Sequence, residues 1–416
     1  MKSLWKLLFA FIVILLLCGV IVLFLQNKTP SPAQLARGTQ QFPSARPAHL
    51  PSHLPSSGTG APLTVPLYWE AEEAAYMLDV KVGANWVPMV FDTGSSHMSA
   101  KGSDCVWSRC DTCPTRACPC GAPDCDKHVF KPSSGAGSEG TPNGTSVMRY
   151  GSQETEVTPH SEAFHLYQLS LPCQTMQQLR FRHTTDVLRQ VGGGGVQLSS
   201  FGPTQVYRIH RITGNSSSNI FGMSQTNGHG GDNVLMSLMA GSGHNVWSFF
   251  GDGQQGWFTL GASPCFPQPT YVPLKSPAAL SNFTSKFYIL PCKGVFVHGA
   301  RVPKSPKYLL VDTGTTDTYA SVEFGKALQG AGYRDGHTGV RLELPGVSLT
   351  YTAAQLRDPA GITPTVLHAS PGRTVDSLGS KFAGKRVMLV GVHMMHRIYW
   401  EFDLRNQRVG IVDTRK

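Results

Sequence analysis

A chain of 416 residues, 15% of them charged and 41% hydrophobic, can bury a substantial core and is too apolar to be disordered throughout. Its net charge of +10 comes from scattered Lys and Arg, without a basic run or an aromatic-interleaved motif, so a nucleic-acid partner is not expected. Gly 44 and Pro 29, with no long amphipathic helical pattern beyond the N-terminus, point to an all-β, strand-and-turn protein.

The first element is apolar. From Leu7 to Leu25 no residue is charged or strongly polar. As a helix this stretch is about 28 Å long, close to the hydrocarbon thickness of a bilayer. Lys2 and Lys6 precede it, as the positive-inside rule asks of a cytoplasmic N-terminus. No small-x-small cleavage site follows Leu25 closely. Residues 1–28 therefore read as a cytoplasmic tip and transmembrane signal anchor of a single-pass type II protein. A cleaved signal peptide and a secreted product are the alternative. Either way, the remainder faces the secretory lumen or the cell exterior. Residues 29–66, dominated by Pro, Ser, Ala, Gly and Thr, read as an extended stalk.

Cysteine usage agrees with that compartment. Cys105, Cys110, Cys113, Cys118, Cys120 and Cys125 crowd into one short stretch. In a cytosolic protein such spacings would suggest zinc or redox chemistry. In an oxidising compartment they read as a disulfide-stapled loop of undetermined connectivity. Cys265 and Cys292 look like a separate pair, which leaves Cys173 free or bonded to another chain. A monomer is expected unless Cys173 makes that link. The sequons at Asn143, Asn215 and Asn282 are glycosylation candidates.

From Leu67 onward, short apolar runs alternate with turn residues: YMLDVKVG, WVPMVFDTG, SVMRYGS, WSFFGDGQQGWFTLG, KYLLVDTG and RVMLVGV. These predict strands at short spacing. The cysteine-rich loop, and a stretch from about Thr184 to Ser218 with glycines at 192–195, read as insertions on that framework.

A weak internal repeat divides the folded part. VPMVFDTGSSH, from Val87 to His97, is echoed by KYLLVDTGTTD, from Lys307 to Asp317. Each copy is followed at a distance by an apolar run ending in Gly: Asn219 to Gly222 after the first, Met388 to Gly391 after the second. A lone Asp-Thr-Gly is an ordinary turn. Two copies with matching sequels are not readily ascribed to chance. If the two turns face each other, Asp92 and Asp312 come within hydrogen-bonding reach and cannot both be charged, so the pair holds one proton. The ionised member can activate a water while the other donates to a carbonyl oxygen, without metal, cofactor or covalent intermediate. His393 and His396, three residues apart, offer a metal too few ligands and read as structural or surface histidines.

These residues resemble those of the pepsin-like aspartic peptidases. The resemblance runs from Leu67 to the C-terminus and includes the closing pattern Gly391, Tyr399, Phe402-Asp403, Asn406 and Val409-Gly410. It implies a bilobal all-β fold, with residues 67–245 as one lobe and 246–416 as the other. Asp92 and Asp312 would be catalytic, supported by Thr93, Gly94, Ser95, Thr313, Gly314 and Thr315. A hairpin flap would carry Tyr150 and Gly151 over the cleft. Where the family has an apolar residue and a Trp after Asp-Thr-Gly-Ser-Ser, this chain has His97, Met98 and Ser99. Substrate preference therefore does not transfer. The implied activity is that of an endopeptidase on polypeptides, with an acidic optimum. The rivals are a catalytically silent relative that binds a peptide or protein in the same cleft, and a redox or zinc module built on the cysteine loop.

Overall fold

The computed structural model describes residues 61–71, 73–107, 118–119, 129–133, 146–150, 153–192, 195–213, 219–225, 233–275, 287–357, 367–368 and 384–415. Within the first part of the fold lie β1 (Leu63–Glu70), β2 (Ala75–Val82), β3 (Asn85–Asp92), β4 (Met98–Trp107), β5 (Cys118–Pro119), β6 (Ser146–Tyr150), β7 (Gln153–Leu169), β8 (Val196–Thr213) and β9 (Ile220–Gly222). The second part holds β10 (Val246–Gly251), β11 (Gln255–Leu260), β12 (Thr270–Pro273), β13 (Tyr288–Pro291), β14 (Gly294–Val297), β15 (Ala300–Arg301), β16 (Tyr308–Val311), β17 (Thr318–Ala320), β18 (Val340–Leu344), β19 (Val347–Tyr351), β20 (Leu367–His368), β21 (Val387–Val390), β22 (Ile398–Asp403) and β23 (Arg408–Asp413). Among the described residues the helices are few and short, such as Val234–Ser242, capped by the Asn233 side chain, and Val322–Gly330, capped by Ser321.

One long sheet joins the two parts. Its order is β12-β23-β22-β10-β11-β1-β2-β3-β9-β4-β8-β7-β6. β1 is the seam: it pairs with β11 from Leu63↔Leu260 to Tyr68↔Gln255, and with β2 on its other edge. β1 thus starts at Leu63, four residues inside the stretch read as stalk. Two smaller sheets, β13-β16-β21-β17-β20 and β15-β14-β18-β19, complete the second part.

The core is continuous across the seam. Phe91 from β3, Trp247 and Phe249 from β10, Phe258 from β11 and Phe402 from β22 belong to one buried cluster. Trp247 stacks on Phe402 with ring centroids 4.0 Å apart. Burying such a side chain contributes roughly 1.5–3 kcal/mol each, so the parts share a core rather than merely touch.

Two expectations are corrected. The stretch from Thr184 to Ser218 is not a simple insertion. After the helix Thr184–Val191 it becomes β8, which pairs with β7 from Leu169↔Val196 to Glu154↔Thr213 and runs parallel to β4. The second concerns the cysteines. Cys173 bonds to Cys265, and Cys292 is a thiol donating to the Gly294 carbonyl. Cys265 follows β11 in the long sheet, against the Leu169, Met176 and Trp257 cluster that also flanks the Cys173 helix, whereas Cys292 follows β13 in another sheet. Spatial proximity overrode nearness in sequence, and Cys173 is not available to link two chains. Closing this loop, with a sequence separation of 92, contributes about 4–5 kcal/mol in the chain-entropy account.

No helix among the described residues is long and apolar enough to cross a membrane. The Leu7–Leu25 segment, the stalk up to residue 60, Cys110, Cys113, Cys120, Cys125 and the sequons at Asn143, Asn215 and Asn282 lie outside the described residues. Of the cysteine loop, Cys118 lies in β5, paired with Trp107 of β4, and Cys105 is buried within β4.

Candidate active site

Each Asp-Thr-Gly leaves a strand whose neighbour arrives from far along the chain. β9 lies between β3 and β4, parallel to the first and antiparallel to the second. β21 lies in the same way between β16 and β17. The apolar-to-Gly echoes seen in the sequence are these inserted strands. Insertion keeps the strands on either side of each Asp from pairing as a hairpin, so the turn between them projects from the sheet edge. The threading demands glycine: a Cβ on Gly222 would lie 2.5 Å from the His97 backbone, and one on Gly391 would run into the Asp317 carbonyl.

The two turns meet through their threonines. The Thr93 N–H donates to Thr313 Oγ1 at 3.0 Å, and the Thr313 N–H donates to Thr93 Oγ1 at 2.9 Å. Thr93 Oγ1 then donates to the Val311 carbonyl at 3.2 Å, and Thr313 Oγ1 to the Phe91 carbonyl at 2.6 Å. Both threonines are fully buried. Three polar groups of each turn, the Thr N–H, the Thr hydroxyl and the carbonyl two residues before it, are therefore paired with the other turn, which fixes the two parts in one register.

That lock sets the carboxyls face to face. Asp92 and Asp312 each keep 8% of their surface exposed, enough for a water or a substrate atom to reach them. Gly94 and Gly314 make the approach possible, since a Cβ on Gly94 would lie 2.5 Å from Asp312 Oδ1 and one on Gly314 would collide with Asp92. Each carboxyl is aimed by its own turn. Asp92 accepts from the Gly94 N–H at 2.7 Å and the Ser95 hydroxyl at 2.5 Å. Asp312 accepts from the Gly314 N–H at 3.0 Å and the Thr315 hydroxyl at 2.8 Å. Burial pushes the Asp312 carboxyl well above the ordinary carboxylate range, and the negative charge of Asp92 pushes the same way. The Thr315 hydroxyl and Gly314 N–H oppose the shift without cancelling it. The two carboxyls can therefore share one proton.

No protein-family model matches the chain, and no curated protein sequence matches it. Its backbone superposes on the crystal structure of an aspartic proteinase from Irpex lacteus, with a TM-score of 0.58 over 85% of this chain and 98% of that one, at 16% identity. The fold is that of an aspartic proteinase. At this identity the likeness speaks for architecture, and the chemistry rests on the residues themselves.

In this aspartic-proteinase fold, β6 and β7 make the hairpin predicted as a flap. Their last pair is Tyr150↔Gln153; Gly151 lies outside the described residues. At the position after the first motif where a Trp was expected, Ser99 is fully buried with its hydroxyl unpartnered. His97 packs edge-on against Tyr207, with ring centroids 5.5 Å apart.

The sequence reading missed a group beside the second turn. Asp317 accepts from both His368, Nε2 to Oδ2 at 2.6 Å, and His393, Nδ1 to Oδ1 at 3.2 Å. His393 was read as a structural or surface histidine, with no partner named; among the described residues no three such side chains converge as a metal site. The repeat itself held a signal, since Asp317 occupies the second copy's counterpart of His97. His396 packs against Trp69 and Tyr76. Burial pushes its pKa down to about 3.

Proposed function

We propose that the chain is an aspartic endopeptidase, tethered by residues 7–25 to a membrane of the secretory pathway or cell surface. The reciprocal threonine lock carries this reading, because it holds two buried carboxyls in hydrogen-bonding contact at the ends of two symmetric turns. A water between them gives a proton to Asp92 as its oxygen attacks the peptide carbonyl carbon. Asp312 gives its proton to the carbonyl oxygen, and a neutral tetrahedral diol results. On collapse, the proton held by Asp92 passes to the leaving nitrogen, and Asp312 recovers a proton from a diol hydroxyl. Burial keeps the proton on Asp312 through the acid range, in line with an acidic optimum.

The tether is supported by the length and flanking charges of the apolar segment, and the Cys173–Cys265 bond suits an oxidising compartment. Membranes carrying the full chain should retain it through an alkaline carbonate wash; recovery in the soluble fraction would overturn the anchor. The peptidase claim is tested with the full chain on an unfolded protein substrate between pH 3 and 6. Cleavage should be present in the parent and absent in Asp92→Asn and Asp312→Asn. No cleavage by the parent, or equal cleavage by the variants, defeats it.

A further inference from the structure

The two turns are alike where they touch and unlike behind. Beside the first turn, the inserted backbone makes the contacts: the Gly222 N–H donates to the His97 carbonyl, the Met223 N–H to that of Asp92, and the Ser224 N–H to that of Ser95. Behind the second, the Val392 N–H donates to the Thr315 carbonyl at 2.8 Å and the His393 N–H to that of Thr316 at 3.1 Å. There a side-chain set is added. His393 grips the turn twice, with its backbone on Thr316 and its ring on Asp317, while His368 closes on the other carboxylate oxygen.

We propose that Asp317, held by His368 and His393, is a positioning residue that fixes the 312–318 turn so that the Thr315 hydroxyl stays on the Asp312 carboxyl. The inference rests on the peptidase reading for its readout. The geometry leaves Asp317 little choice of place. Its side chain is 14% exposed and those of His368 and His393 3% and 4%, so the carboxylate has two donors and scant water. A buried anion that loses such a partner is strongly destabilised, and the turn therefore follows the histidines. The turn is anchored toward the first part as well, by Thr316 Oγ1 donating to the Ala74 carbonyl at 3.0 Å. Thr315 sits beside that anchor, two residues from Asp317.

The other titratable or charged groups near this set are Tyr319, whose ring leans on His368, and His396 beside His393, with Arg397 beyond it. Burial and Asp92 lead the influences that raise Asp312, with the Thr315 hydroxyl the largest that lowers it. Asp317 accordingly acts through the aim of that hydroxyl.

The test uses the full, oxidised chain and an unfolded-protein substrate. Asp317→Asn should lower kcat by ~10- to 100-fold with KM little changed, as a misplaced catalytic group does. It should also move the alkaline edge of the pH profile upward, as Thr315→Val does, because Asp312 loses a donor to its ionised form. A purely structural role would lower the amount of folded enzyme and leave the edge in place; that result overturns the proposal. Should Asp317→Asn fail to fold, His368 decides. Gln can donate in place of Nε2 and should restore most of the kcat that His368→Leu loses. Equal kcat for the two His368 variants also overturns the proposal. An inactive parent enzyme would instead defeat the peptidase reading, so the two failures are told apart.

Discussion

The turn at Asp92 and the turn at Asp312 do the same job with different support. Their contact surface is a repeated set: Asp, Thr, Gly and a hydroxyl residue, with the same bonds made in both directions. Their backing is not repeated. The first turn is flanked by the small, unpartnered Ser99 and by His97 on Tyr207, the second by Asp317 and its two histidines. Chemistry that both halves must share leaves little freedom, whereas packing behind each turn can be solved in more than one way.

Four measurements would break or sharpen this comparison. The largest effect belongs to the carboxyls. Asp92→Asn and Asp312→Asn should each lower kcat by ~10⁴-fold or more while the protein stays folded, because either change removes the shared proton's carrier or its acceptor. A variant that keeps its activity would show that only one turn is catalytic.

Next come the threonines. Thr93→Val and Thr313→Val each strip from the lock one hydroxyl that both accepts and donates, leaving a buried N–H and a buried carbonyl unpartnered. At about 1–3 kcal/mol for each stranded group, each variant should lose roughly 2–6 kcal/mol of stability. Denaturant unfolding should find the two losses similar. A loss confined to one variant would mean that the lock is lopsided.

Smaller effects follow from the hydroxyls. Ser95→Ala and Thr315→Val should each cost about tenfold in kcat, the scale of one donor lost from a working carboxylate. Thr315→Val should in addition raise the alkaline edge of the rate profile, since that hydroxyl pulls the Asp312 pKa down. An edge that stays put would separate Thr315 from the proton on Asp312.

The last measurement concerns stability in acid. The fold keeps His396 neutral down to about pH 3, while an unfolded histidine takes its proton near 6.5. The unfolded chain binds more protons in that window, so this contribution is whole above about 6.5 and is lost as the pH falls toward 3. Asp312 runs oppositely: its raised pKa makes its contribution whole below about 3.9 and lost as the pH rises through the folded value. His396→Phe keeps a ring against Trp69 and Tyr76 but removes the titration. Its Tm should fall less between pH 7 and pH 4 than that of the parent. An unchanged fall would mean that His396 is protonated within the fold.

Much of this was legible in the sequence because it is local and periodic. The strands ending at Asp92 and Val311 are short apolar runs bounded by turn residues, and the inserted strands announced themselves by their terminal glycines. β8 was hidden because its first half is largely exposed and follows a glycine run, so its alternation begins only near Val206. The Cys173–Cys265 bond and the Asp317 group were hidden for another reason. Each joins segments far apart in the chain, and nothing in the immediate neighbourhood of His368 names its partner. The Thr93–Thr313 lock lay between these cases: the residues were visible in the repeat, but their cross-bonding was a matter of geometry.

A turn that offers one hydroxyl and one N–H, and requires the same from its counterpart, is self-complementary about a local two-fold axis. Detached from each other, the two halves would each carry an unmet copy of the same pattern. By the logic of isologous contacts, the simplest surface able to satisfy either one is a second copy of itself. The single chain supplies both faces of what is, at its centre, a symmetric dimer contact.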